Sequence, residues 1–351
     1  MPQPTFSSRV FRFLAYLTFI TTFLVILAGS VVRTTQSGMG CPDWPRCFGY
    51  FIPPTEQGQV TFTPGNSYQK GIMIIRDDTL WRATGSFTAT EEFNRQHWEK
   101  YPKHTYASFD AYQTWIEYIN RLLGALLGIF VFALVLSSFT FWKSNRPQVF
   151  LSLSLLVLTG FQAWLGKLVV DGNLIPGSIT IHMLAALLLL ALSLAILFRL
   201  DLGQPFRLSR NQLSLFTWLT ILVISLTLIQ IVIGTQVREE IDELGKTLGF
   251  ENRGLWIEAL SNVFKLHRSF SILLIAVNGF LIFRIFKSEA TSLRRFAVYS
   301  GVLILLEPAV GVFLAYFEVP AFAQPVHLLL ACLLFTAQVS LLLEIRKGKR
   351  L

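Results

Sequence analysis

Polar and apolar positions alternate along this chain in blocks rather than at a helical or strand period. Apolar runs at 11–32, 115–141, 149–170, 178–200, 213–235, 263–286, 296–317 and 325–344 are separated by short basic or longer mixed stretches. A membrane-spanning helix needs about 20 mostly apolar residues. A spanning segment must also satisfy its own backbone groups, so the runs predict eight helices rather than strands. The short loops carry Arg9 and Arg12, Lys143 and Arg146, Arg199, Arg207 and Arg210, then Arg284, Lys287, Arg294 and Arg295, with Arg346, Lys347, Lys349 and Arg350 at the tail. Basic loops stay on the cytoplasmic side, which places both termini inside. The segments 33–114, 171–177, 236–262 and 318–324 then face outward.

A repeat underlies the blocks. Asn120-Arg121 aligns with His267-Arg268, and Gly29-Ser-Val-Val-Arg33 with Gly234-Thr-Gln-Val-Arg238. Gln162-Ala-Trp-Leu-Gly166 aligns with Glu307-Pro-Ala-Val-Gly311, and His182 with His327. The expected fold is therefore an all-α polytopic membrane protein of eight transmembrane helices in two pseudo-symmetric four-helix bundles. The halves are 1–204, with the large outward loop 33–114, and 205–351.

Composition agrees: 53% hydrophobic residues, 15% charged and a mean hydropathy of +0.53 lie outside the range of soluble domains. The net charge of +9 would suit nucleic acid, but the basic residues sit where topology needs them, which sets nucleic acid aside. Phe supplies 31 residues, as suits helices that face lipid and pack around a flat aromatic ligand. The first apolar run is too long for a cleavable signal and no small-residue site follows it. Cys41 and Cys47 share a polar loop, as a disulfide in an oxidising compartment or half a metal site otherwise; the spacing disfavours zinc. Cys332 lies in an apolar run, where it packs. Within the loop, Pro53-Pro54, Pro64-Gly65, Trp81 and Trp98 show no sustained period, and His97 and His104 read as surface residues.

Ionisable side chains inside spanning helices are costly and mark functional sites. His182, His267 and His327 are the histidines of the apolar segments, each near the outward end of an even-numbered span, and Asn120 takes the fourth such place. Nitrogen ligands at one depth point to a cofactor between helices, and two facing imidazoles are the donor set of a b-type haem. The alternative is hydrogen bonding between helices, which fits one histidine better than three at matching positions. By the repeat, His267 and His327 make a complete pair, whereas Asn120 with His182 is lopsided and leaves one iron face open or weakly held. Glu117, one turn before Asn120, can move protons, stabilise a developing cation, or pair with an arginine. Arg33, Arg121, Arg238 and Arg268 fall at the outward boundary, where guanidinium groups bind propionates or simply snorkel. Glu307, followed by Pro308, is deeper and has no evident partner.

The run Val31-Val-Arg33-Thr-Thr-Gln-Ser-Gly38-Met-Gly-Cys41-Pro-Asp-Trp-Pro-Arg-Cys47 resembles the signature after the first helix of haem A synthases. Glu117-Tyr-Ile-Asn120-Arg121, Gln162-Ala-Trp-Leu-Gly166, His182, Leu266-His267-Arg268 and His327 follow in that family's order. The resemblance covers nearly the whole chain apart from much of 50–110. It implies haem b (protohaem IX) as cofactor on His267 and His327, and a site for the substrate haem O in the first half, with His182 on its iron and Asn120, Arg121 and Arg33 around it. It also matches Glu117 to the family's catalytic carboxylate and makes Cys41–Cys47 an outward-facing disulfide; from their place at the boundary, Arg238 and Arg268 are the expected propionate contacts. The reaction is oxidation of the C8 methyl group of haem O to a formyl group by successive hydroxylations and loss of water, giving haem A for terminal oxidases. Implied partners are membrane lipid, a haem O synthase (protohaem farnesyltransferase) and an unidentified electron acceptor or donor; a homo-oligomer is compatible.

Many members have His where this chain has Asn120, and the intact surroundings read as an active variant. The main rival is a two-haem b-type electron-transfer cytochrome, which Asn120 opposes. A transporter would place polar groups near the midplane rather than at the outward ends, and a structural subunit explains neither the histidines nor Glu117. The expected location is a bacterial-type plasma (inner) membrane, with a mitochondrial inner membrane the less favoured alternative because the basic leader before the first helix is very short; the haem sites are expected near the extracytoplasmic side.

Overall fold

The apolar blocks become helices whose ends obey local chemistry. A computed structural model of the chain describes residues 6–102, 108–171, 177–200 and 206–350; His104 lies outside them. Among these residues the α-helices are α1 (Phe6–Thr34), α2 (Ala111–Ser138), α3 (Arg146–Asp171), α4 (Ser178–Leu200), α5 (Arg210–Leu248), the short α6 (Trp256–Ala259), α7 (Asn262–Phe286), α8 (Thr291–Tyr316) and α9 (Ala323–Ile345). All but α6 are long and apolar enough to cross a membrane, so the fold is all-α and polytopic, with eight candidate spans among the described residues. Pro147 sits in the first turn of α3, where a missing N–H is harmless. Ser209 and Gln212 form a reciprocal capping box at the start of α5, and Ser261 accepts the Val263 N–H ahead of α7.

Helix α5 runs well beyond the apolar segment that ends at 235. Its continuation is rich in helix formers, and Arg238 pairs with Asp242 one turn on at 2.8 Å. The continuation also has an apolar stripe: Val237 and Ile241 pack with Trp256, Leu260 and Val319. Amphipathic packing extends the helix where hydropathy alone stops it.

The chain divides into two compact units. The first comprises Met1–Leu27, Leu126–Val169 and Leu174–Leu351; the second comprises Ala28–Ala125 and Val170–Asn173. Packing sets this division, so the halves 1–204 and 205–351 remain a statement about sequence. Within the first unit one core draws on α1 to α4 through Phe11, Leu127, Val131, Leu155, Leu189 and Ile196. Another draws on α5 and α7 to α9 through Phe216, Val223, Leu281, Leu293, Ala297 and Leu341. Leu187, Leu190 and Leu194 of α4 then meet Cys332 and Phe335 of α9, so Cys332 is buried packing, as expected. Large apolar side chains such as Phe132, Phe150, Trp218 and Phe283 stay exposed, as lipid-facing surfaces require.

The second unit holds strands that no periodicity revealed. Strand β1 (Ser67–Tyr68) pairs antiparallel with β4 (Phe87–Thr88), and β2 (Met73–Arg76), β3 (Thr79–Ala83) and β5 (Trp98–Lys100) form a three-stranded antiparallel sheet in the order β2-β3-β5. The β2–β3 turn is Asp77-Asp78, both with φ of 50°, a left-handed pair that Asp tolerates and hairpin twist favours. Tyr68, Trp81 and Trp98 pack with Ile74 in a core of this unit, with Tyr68 edge-on to Trp98 at 5.1 Å. His97 is exposed and stacks on Phe87 at 4.5 Å.

Candidate functional site

In the second unit, Glu117 is clamped by the loop that carries the cysteines. Gly40 passes so close to α2 that a Cβ there would lie 2.7 Å from the Gln113 carbonyl, so only glycine fits. That approach brings the Cys41 N–H to Glu117 Oε2 at 2.8 Å and the Gly40 carbonyl to Thr114 Oγ1 at 2.9 Å. Arg121, one turn on, donates to Glu117 Oε1, and Glu117 is only 3% exposed. The pairing with an arginine, one of the readings open from sequence, is thus present. Arg121 also donates to the carbonyls of Asp43 at 2.6 Å, Arg46 at 3.1 Å and Cys41 at 3.2 Å. Both of its terminal nitrogens are engaged by the loop and by Glu117, so the structure places Arg121 as the anchor of this cradle. Such charge-assisted bonds hold a carboxylate in one orientation.

Cys41 and Cys47 are joined by a disulfide, which settles the alternative left open by their spacing. The Gly49 N–H donates to Asp43 Oδ2 at 3.0 Å, and the φ of 82° at Gly49 together with its close approach to Gly71 requires glycine. Burial pushes the Asp43 carboxyl above its ordinary value, against the opposing pull of the Gly49 and Phe48 N–H groups and of Arg121. A carboxyl raised on folding is most stabilising in its protonated form, so its contribution is present at low pH and is lost as pH rises through the folded value. Asp43→Asn, which keeps an acceptor for Gly49, is therefore expected to melt no lower than wild type at neutral pH and to gain less on acidification. Thermal unfolding at two pH values checks this.

In the same unit Asn120 is half-buried, and its Oδ1 lies 3.9 Å from where a Cβ on Gly29 would be; no hydrogen-bond partner for that oxygen occurs among the described residues. The first unit repeats the arrangement with imidazoles. A Cβ on Gly166 would lie 3.7 Å from His182 Cε1, one on Gly234 3.0 Å from His267 Cε1, and one on Gly311 3.3 Å from His327 Cε1. Each ring lies against a helix stripped of its side chain at that point. Gln162 Nε2 donates to the His182 carbonyl and Gln230 Nε2 to the His267 carbonyl, both at 3.0 Å. Glu307 takes the corresponding place on α8, with Oε1 3.2 Å from His327 Nδ1. These polar partners escaped the sequence reading, although a shared Gln-x-x-x-Gly in Gln162–Gly166 and Gln230–Gly234 signals two of them.

His267 and His327 face each other with ring centroids 6.4 Å apart and planes at 77°. A metal bound by one nitrogen of each ring, at the roughly 2 Å of metal–imidazole bonds, sets ring centres about 6 Å apart. The spacing, the unbranched backbone behind each ring and the buried unbonded Nδ1 of His267 fit an axial imidazole pair. Of the other expected contacts, Arg238 is paired with Asp242, Arg33 is half-buried at the end of α1, and Arg268 is exposed.

Spanning helices that carry half-buried imidazoles, two of them facing each other, define a polytopic membrane protein with a candidate ligand site between helices. The model of the COX15-CtaA family, described as cytochrome oxidase assembly protein, matches residues 12–73 and 71–339, and the chain belongs to that family. Relatives named haem A synthase include one from Shewanella oneidensis, 26% identical over 70% of this chain and 62% of its own length, so the chain spans less than two thirds of that relative. Another, from Flavobacterium johnsoniae, is 22% identical over 93% of this chain and 95% of its own, and one from Rickettsia prowazekii is 25% identical over 92% and 93%.

Proposed function

We propose that the protein is a haem A synthase, an oxidoreductase that converts the C8 methyl group of haem O to a formyl group. The observation that carries the reading is the facing pair His267 and His327, each backed by a glycine. When bound there, haem b supplies one-electron transfer. His267 and His327 hold it from both sides, and Gln230 fixes the backbone at His267. His182 would hold the iron of the substrate haem; Asn120, at the matching place of the sequence repeat, would be too weak a ligand to close an iron. Glu117, oriented by Arg121 and the Cys41 N–H, exchanges protons with the reacting group or faces the positive charge that develops there. Arg33, Arg238 and Arg268 meet propionates near the extracytoplasmic side, with both termini cytoplasmic. A haem O synthase supplies the substrate, and a redox partner accepts or donates the electrons.

The test is haem extraction and chromatography on purified protein made with and without a haem O synthase. Haem B alone in one case, with added haem O or A in the other, supports the reading. Haem B alone in both, with no formyl product, selects an electron-transfer cytochrome instead. Gly234→Val is expected to overpack the His267 ring, at about 1–3 kcal/mol, and so to lower haem retention by about tenfold or more. Haem content per polypeptide measures it.

A further inference from the structure

We infer that Glu307 is a positioning residue that sets the reduction potential of the haem held by His327. The inference rests on the haem reading above. Three helices present a polar residue one turn before the glycine that backs an imidazole, and two of them use glutamine. The side-chain amides of Gln162 and Gln230 donate to a histidine backbone carbonyl. Glu307 instead brings a carboxylate oxygen to a ring nitrogen. Its Oε1 lies 3.2 Å from His327 Nδ1, at bonding distance though not in line with the ring N–H. Its side chain is 17% exposed and that of His327 22%, so the contact is largely shielded from water.

A neutral imidazole that binds metal through Nε2 carries its proton on Nδ1, and the acceptor of that proton fixes the tautomer and raises the basicity of the ligating nitrogen. Glu307 brings a carboxylate oxygen within bonding distance of His327 Nδ1, whereas among the described residues no carboxylate lies against His267 Nδ1; neither Nδ1 makes a hydrogen bond in this structure. A small turn of the Glu307 carboxylate would complete the bond and make the two axial ligands unequal, with His327 the stronger electron donor. Stronger donation favours the oxidised iron and lowers the potential. Pro308 follows directly inside α8 and cannot donate to the Ile304 carbonyl, which loosens the helix where Glu307 must reach its ring.

Spectroelectrochemical titration of the purified full chain, compared with Glu307→Gln, tests this. The variant should keep its haem content and low-spin spectrum while its reduction equilibrium shifts about tenfold toward the reduced form, about 59 mV for a one-electron couple. An unchanged potential with low-spin haem retained would overturn the inference and leave the haem reading standing. Absence of haem from the wild-type protein would overturn the haem reading itself. If Glu307→Gln loses haem, Glu307→Asp decides: low-spin haem at a wild-type-like potential supports the role, and loss from both variants refutes it in favour of a purely structural one.

Discussion

Glu117→Gln is expected to lower formation of haem A by about 10²–10⁴-fold, the usual worth of a positioned acid–base group, while the haem bound by His267 and His327 stays in place. Glutamine matches glutamate in shape, and its amide oxygen can still accept the Cys41 N–H. What disappears is the charge opposite Arg121 and the capacity to exchange a proton. Arg121 keeps three backbone carbonyls, so the loop should hold its path. Product per polypeptide, measured beside haem B content, separates the chemical loss from a folding loss. A variant with normal haem B and normal product would remove Glu117 from the chemistry.

His267→Ala is expected to empty the site more completely. On the proposed reading the two facing imidazoles would hold one iron, and the loss of either would remove half of its protein ligands and leave a slot whose other wall is a bare glycine backbone. Haem content should fall below about a tenth of wild type, and any remainder should be high-spin. Because Gly234 adds no side chain to the vacated space, free imidazole added during purification should restore part of the low-spin band. His182→Ala, by contrast, should spare that band. Equal loss of haem B in both variants would contradict the assignment of the cofactor to His267 and His327.

Much of this architecture is written in hydropathy, because lipid allows few alternatives to a helix. The histidines and Glu117 stand out for the related reason that a polar group in an apolar run needs a purpose. The outer part of α5 is hidden because its apolar stripe is narrow and interrupted by Glu239, Glu240 and Glu243, so only packing against Trp256 reveals it. The strands of the second unit are two to five residues long, too short to show alternation. At the site, the equal step from Gln162 to His182 and from Glu307 to His327 is legible as a repeat and becomes a contact in both copies. Which backbone carbonyls Gln230 and Arg121 reach is not legible, since that depends on what a neighbouring element brings within range.

Gly29 stands opposite Asn120, where a Cβ would touch Oδ1 at 3.9 Å, just as a Cβ on each of the other three glycines would meet an imidazole. Asparagine and histidine codons differ by one base. A lineage can therefore pass between the two residues at position 120 in a single mutational step, and the glycine on α1 is already the one that faces an imidazole elsewhere in the chain. The glycine stands as a standing permission: it keeps ligand strength at this position open to selection independently of the packing around it.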